Sequence, residues 1–167
     1  NVGENPDFGG SGTSWVNPEN ALIYDASVAS TTFTSTNLTS NYLYIHDFLM
    51  GLNSSDIITG IEVTVRKRGI GAVVDNYIGL VYGPVNSLNT TTPNKATTEV
   101  WANLNTTVTY GGPTDLWGKT WTYDELDSPQ FGIVISATGD GVGSNGAEID
   151  YVRVDVYYTS INVYNGF

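Results

Sequence analysis

The sequence has no cysteine, which excludes disulfide bridges, zinc–thiolate sites and thiol nucleophiles. It has a single histidine, His46. That residue sits in the apolar run Tyr42–Leu49, where a hydrogen-bonded core histidine is the expected role and a catalytic base is not. Basic residues are scarce as well, 6 against 17 acidic ones for a formal net charge of -11. A nucleic-acid backbone or an anionic membrane surface needs a basic stripe, so neither is an expected partner. No apolar run approaches membrane-spanning length, and no long helical periodicity is present. At 167 residues the chain is most simply one domain, long enough to bury a core without metals or disulfides. Asn1 in place of methionine fits a mature chain after signal removal or a piece of a longer one. Low lysine content, 19 glycines and long Ser/Thr/Asn runs point to an extracellular protein or one on a cell or virion surface.

What the chain does have is concentrated in Tyr110–Trp121, YGGPTDLWGKTW. Glycines that take positive φ cheaply and a proline of fixed φ let the backbone turn tightly, while Tyr110, Trp117 and Trp121 point inward as plugs. Asp115, a short carboxylate among glycines, is expected to cap the turn by accepting backbone N–H bonds. The alternative for this stretch is an aromatic ligand platform.

The remaining chain reads as short strands separated by turn signals. Residues 1–14 are glycine-rich and polar with isolated Val2 and Phe8, a linker or clasp. After Trp15 and the Asn17-Pro18 turn, Ala21–Tyr24 reads as a first short strand, residues 28–39 as an exposed strand, and Tyr42–Leu49 as a central strand covered on both faces. Ile61, Val63 and Val65 alternate with Glu62, Thr64 and Arg66, a strand with one wet face. Ala72–Tyr82 gives another strand, 84–98 a polar excursion, and Phe131, Ile133 and Ile135 an inward row. In Glu148–Tyr158, Val152, Val154 and Val156 face one way and Tyr151, Arg153, Asp155 and Tyr157 the other. Thr122 with Glu125 matches a capping box, so Tyr123–Leu126 is one helical turn. The expected fold is all-β, a two-sheet antiparallel β-sandwich of jelly-roll type with at most one short helical turn.

With these motifs placed, the chain resembles a β-sandwich domain of bacterial surface proteins and tailed-phage structural proteins. The resemblance covers Trp15–Thr159: the opening W-x-N-P-x-N-A, the Ile58–Arg68 strand, Asn94-Lys95-Ala96, Trp101, Y-G-G-x-x-D-L-W-G-x-x-W-T, Phe131-Gly132-Ile133 and the closing Val156-Tyr157-Tyr158-Thr159. It implies a modular building block with no catalytic residues to transfer. Such domains end near the Tyr-Tyr-Thr, whereas here 160–167 continues as a strand-like extension, SINVYNGF.

The expected function is therefore a non-enzymatic structural subunit of an extracellular helical filament or pilus-like fibre. Copies would join by strand exchange through Ile161, Val163, Tyr164 and Phe167, with Val2 and Phe8 as the weaker candidates, and the partner is the chain itself in a helical homopolymer. The alternative is a carbohydrate-binding or adhesive module, or a phage decoration or receptor-binding domain, with Tyr151, Tyr157 or Trp101 as sugar platforms. No cofactor is expected. Calcium is the one metal considered, through Asp75, Asp124, Asp127, Asp140, Glu148 and Asp150, but no D-x-D-x-D-G spacing supports it. The basic run Arg66-Lys67-Arg68 reads as a solvated strand end or as a contact to an acidic face of another subunit. Asn37, Asn53, Asn89 and Asn105 fit the N-glycan acceptor pattern.

Overall fold

A computed structural model describes residues 1–5, 12–83 and 92–160. Eight strands among them form two four-stranded antiparallel sheets. In chain order they are β1 (Val2–Glu4), β2 (Ala29–Phe33), β3 (Leu43–His46), β4 (Ile57–Ile70), β5 (Val73–Val81), β6 (Thr106–Gly112), β7 (Gly132–Gly139) and β8 (Asn145–Thr159). One sheet has the order β1-β3-β7-β5 and the other β2-β8-β4-β6. Odd strands thus occupy one layer and even strands the other, so every connection passes from sheet to sheet.

The pairing is nested. β2 pairs with β8, β3 with β7 and β4 with β6. The innermost pair joins β5 to the irregular segment 92–101, through Thr92 N–H to Leu80 O (2.9 Å), Lys95 N–H to Ile78 O (2.8 Å) and Trp101 N–H to Val73 O (2.8 Å). A long antiparallel ribbon folded on itself and wrapped around a core is a jelly roll, the architecture expected from the sequence. Among the described residues no helix is long and apolar enough to cross a membrane.

The core lies between the layers. Ile61, Val63 and Val65 from β4 and Ile149, Val152 and Val154 from β8 face Leu43, Ile45, Ile133 and Ile135 from the other sheet. Alternation along each strand supplies this face because successive side chains point to opposite sides of a sheet. β3 is buried on both faces, as the apolar run implied, with Tyr44 packing outward against Val81 and Val134. It ends after His46, where Asp47 takes φ 61°.

Three expected elements differ. Residues 28–39, expected as an exposed strand, form β2 only over Ala29–Phe33, and Ala29, Thr31 and Phe33 are buried, because alternation turns them to the core while Ser30 and Thr32 between them face out. Ala21–Tyr24 is not a strand: Pro18–Leu22 forms a 3-10 turn with Pro18 in its first turn, after Asn17 at φ 51°, because proline's fixed φ and absent N–H suit a helix start. Val2–Glu4, inside the stretch read as linker or clasp, pairs with Tyr44–His46 of its own chain. The side chain of Asn5 secures it, accepting from Trp15 N–H (2.8 Å) and donating to Trp15 O (2.7 Å).

The aromatic corner closes one end of the sandwich. Trp117 is fully buried, donates from Nε1 to Ile61 O (2.8 Å), and itself adopts φ 54°. Gly111, at φ 78°, must be glycine on two counts: the backbone is left-handed, and a Cβ would run into Ile61 O and the Trp117 indole nitrogen. Asp115 caps the turn by accepting from Trp117 N–H (2.8 Å) and pairs with Lys95 (2.7 Å). Trp121 packs edge-on against Phe131 at 5.6 Å, just before α1 (Tyr123–Leu126), whose Thr122–Glu125 capping box is fully formed. Truncating Trp117 to alanine empties a close-packed site, so equilibrium urea denaturation should show a loss of about 3–5 kcal/mol for Trp117→Ala; a change below ~1 kcal/mol would mean the corner collapses without it.

Candidate functional site

Chemistry concentrates around one irregularity in β5. Asp75 pairs with Ala137 and Tyr77 with Ser136, so Asn76 is an extra residue on β5, a β-bulge. The bulge shifts the inward set by one: Val73 and Asp75 face the core before it, Ile78 and Leu80 after it. Asp75 is thereby sent inward while Asn76 is turned to the outer surface.

On the outer side, Asn76 borders a cleft of about 240 Å³ between β5, β7 and the 37–42 segment, lined also by Asn37, Thr39, Ser40, Asn41, Tyr42 and Ser136. The segment is held along β7 by Ser40 N–H to Ala137 O (2.9 Å) and Leu38 O from Gly139 N–H (2.9 Å). Asn76 Nδ2 donates to Ser136 Oγ (3.0 Å), and Ser136 Oγ donates to Ser40 O (3.0 Å). Asn41 Oδ1 is a buried acceptor with no partner among the described residues. Tyr42 packs edge-on against Tyr77 at 5.6 Å, and burial followed by the nearby Tyr77 raises its phenol pKa above the ordinary value. The lining is amide, hydroxyl, one aromatic ring, the aliphatic Leu38 and the backbone of Gly12, with no carboxylate, ammonium or imidazole. Such a surface can hydrogen-bond a neutral polyhydroxylated ligand and offer it an apolar ring face.

On the inner side, Asp75 is the hub of a buried polar cluster. Its Oδ1 accepts from Lys67 Nζ (2.5 Å) and Trp101 Nε1 (2.8 Å). Its Oδ2 accepts from Tyr110 OH (2.9 Å), Thr97 N–H (3.1 Å) and Thr97 Oγ1 (3.0 Å). Lys67 also donates to Tyr110 OH and lies 4.4 Å from the Trp101 ring centroid. Burial works to raise the Asp75 carboxyl, yet the Lys67 charge and these donors outweigh it and hold the pKa below the ordinary aspartate value. With every lone pair taken, the cluster is a satisfied structural core and presents no vacant acid or base.

Several sequence expectations change here. Lys67 is not at a solvated strand end: it continues the inward row of Ile61, Val63 and Val65 and is buried, because the Asp75 bulge gives its charge a partner. Its neighbours pair within the chain too, Arg66 with Asp150 and Arg68 with Glu148. Trp101 is no exposed sugar platform, being buried with its indole N–H on Asp75. Tyr151 is half-buried against Tyr24 at 6.0 Å, and Tyr157 is half-buried. The acids considered for calcium are dispersed: no group of three or more metal-ligating side chains occurs among the described residues, and Asp75, Glu148 and Asp150 are already paired with cations.

Asn37 lies at the cleft, Asn53 is exposed and Asn105 half-buried. His46 is half-buried, stacked on Tyr44 at 4.3 Å with Nδ1 3.0 Å from Pro129 O. Val2 faces His46 in β1, while Ile161, Val163, Tyr164, Phe167, Phe8 and Asn89 fall outside the described residues. The cleft residues Asn41, Tyr42 and Asn76 carried no sequence signal of their own, since a bulge and a strand-side segment bring them together.

No family model matches the chain, and no curated protein does at the level of sequence. A solved structure of a carbohydrate-binding module, described as "CBM4 structure and function", covers 93% of this chain and 93% of its own, with a TM-score of 0.49 and 11% identity. That is a likeness of overall shape and singles out no residue of the cleft.

The buried pair sets an acid dependence. Because the folded Asp75 pKa lies below the unfolded one, its contribution is present at neutral pH and lost as pH falls through the acid range below about 4. Asp75→Asn should remove that component of the stability-versus-pH curve and cost about 3–5 kcal/mol at pH 7 by stranding Lys67. Pairing it with Lys67→Met should recover much of the loss; additive losses in the double variant would show that the two side chains are not coupled.

Proposed function

We propose that the protein is a non-catalytic, extracellular binding module whose cleft at Asn76 takes a neutral carbohydrate. The observation that carries this reading is the cleft's lining: three asparagines, hydroxyl groups, Tyr42 and Leu38 around about 240 Å³, with a buried Asn41 acceptor lacking a partner among the described residues. A sugar supplies the complementary set, hydroxyl donors around its ring and C–H groups on its faces. The overall charge of -11 disfavours anionic sugars, so neutral ones are the expected class. The chemistry found nearby, a carboxylate saturated by donors, serves folding and leaves the module without a hydrolytic role.

Titrating the protein with a panel of neutral oligosaccharides by heteronuclear NMR should perturb the amides of Asn41, Tyr42 and Asn76 selectively. Tyr42→Ala should weaken binding at least tenfold, about 1.4 kcal/mol, with circular dichroism showing that the variant remains folded. A panel that leaves those amides unmoved would sink the reading.

A second reading, the subunit of a helical filament joined by strand exchange, is favoured by a different observation. β6 is the last strand of its sheet, and an apolar pocket of about 250 Å³ opens beside it. Sedimentation of the full chain should then show mass growing with concentration, with fibres in electron micrographs.

A further inference from the structure

We propose that the seam beside β6 is the acceptor for residues 161–167 of a second copy of this chain. The inference rests on the second reading above and specifies its contact; it is independent of the carbohydrate cleft.

Among the described residues the nested ribbon leaves this seam unfilled. β6 belongs to one sheet, and the irregular segment 92–101 borders the other, so among the described residues no strand closes the sandwich between them. The pocket there is lined by Thr106 and Val108 of β6 and by Val100, Trp101 and Ala102 across from them, with Lys67 at its floor. Lys67 pairs with Thr106 and Val65 with Val108, and Lys67 and Val65 are inward-facing, so the β6 side chains of the pocket point toward the core side of their sheet. Val100 at its rim is 61% exposed, a large apolar side chain without cover. A strand added to the outer edge of β6 would satisfy backbone groups left over by the β4 pairing and send every second side chain into this pocket. β6 has 7 residues, and the segment 161–167 matches it in length, with Ile161, Val163 and Phe167 on one side of an extended chain.

The donor must come from another copy because its own chain cannot reach. Thr159 sits opposite Ile57, and Val108 opposite Val65, which is about 26 Å along β4 at ~3.3 Å per residue. Crossing from β8 to the outer edge of β6 adds ~14 Å sideways, giving a straight-line separation of roughly 30 Å. Residues 160–167 span at most ~28 Å fully extended. β8 itself runs away from the pocket toward Thr159, so a tail returning to the pocket would spend part of that length on reversing direction. Donor and acceptor therefore sit at opposite ends of the same sheet, and a contact between two different patches repeats from copy to copy without closing.

The test uses the full chain, a chain lacking 161–167, and Val108→Glu at the acceptor, with circular dichroism confirming the fold of each. In sedimentation the full chain should polymerise, and both variants should remain monomeric. Mixing the two variants leaves one working donor and one working acceptor, and should give a one-to-one pair and nothing larger. A synthetic peptide of residues 160–167 should bind the truncated chain saturably and fail to bind once Val108→Glu is added to it. Should Val108→Glu not fold, peptide binding to the truncated chain decides alone: its absence overturns the proposal. Polymers that persist without 161–167 overturn the acceptor assignment and leave the filament reading standing, whereas a full chain that stays monomeric at every concentration overturns both.

Discussion

The ion pair between Lys67 and Asp75 is the constraint from which the rest of the molecule is arranged. An ammonium in the inward row of β4 is tolerable only if a carboxylate meets it inside the core, since an unpaired buried charge costs several kcal/mol. Asp75 meets that need from β5 and in turn collects donors from Trp101, Tyr110 and Thr97. One carboxylate thus ties β4, β5 and β6 to the segment that flanks β5. That segment is irregular, and these side-chain bonds do part of the work that a regular ladder does elsewhere.

Placing Asp75 inward has a second effect through the bulge at Asn76. An extra residue is required to bring Ile78 and Leu80 back to the core face, and the side chain it displaces outward is the one bordering the cleft. The same device recurs on β8, where Asp150 is the residue passed over between the Arg66–Tyr151 and Lys67–Ile149 pairs. Asp150 is fully buried there, accepting from Ala26 N–H (2.9 Å) and pairing with Arg66. In both strands a buried aspartate at or beside a bulge pairs with a basic residue of β4.

The regular parts of the fold were legible in the sequence and the irregular parts were not. Alternation in Ile61–Val65 and in Val152–Val156, the continuous apolar run of β3 and the Thr122–Glu125 box all translate directly, because each is a local pattern with a local cause. Pro18 was legible as well, but the apolar letters after it suit a strand equally well. Lys67 was not, since a lysine after three aliphatic residues looks like the place where a strand meets water; only its distant partner reverses that. The cleft was out of reach for the same reason. Asn41, Asn76 and Ser136 are ordinary polar residues whose convergence depends on a register shift, and no spacing in the chain announces it.

The length of β8 bears on how the domain would respond to tension. Its ladder with β4 runs from Ile57–Thr159 to Ile70–Gly146, and the hydrogen bonds of an antiparallel pair lie perpendicular to the strands. Tension applied at residue 160 along the strand axis therefore pulls across all of those bonds together, in shear, and does not peel them one at a time. With β6 on the far side of β4 in the same sheet, a force entering at the end of β8 and leaving through the β6 edge would cross two ladders in this orientation.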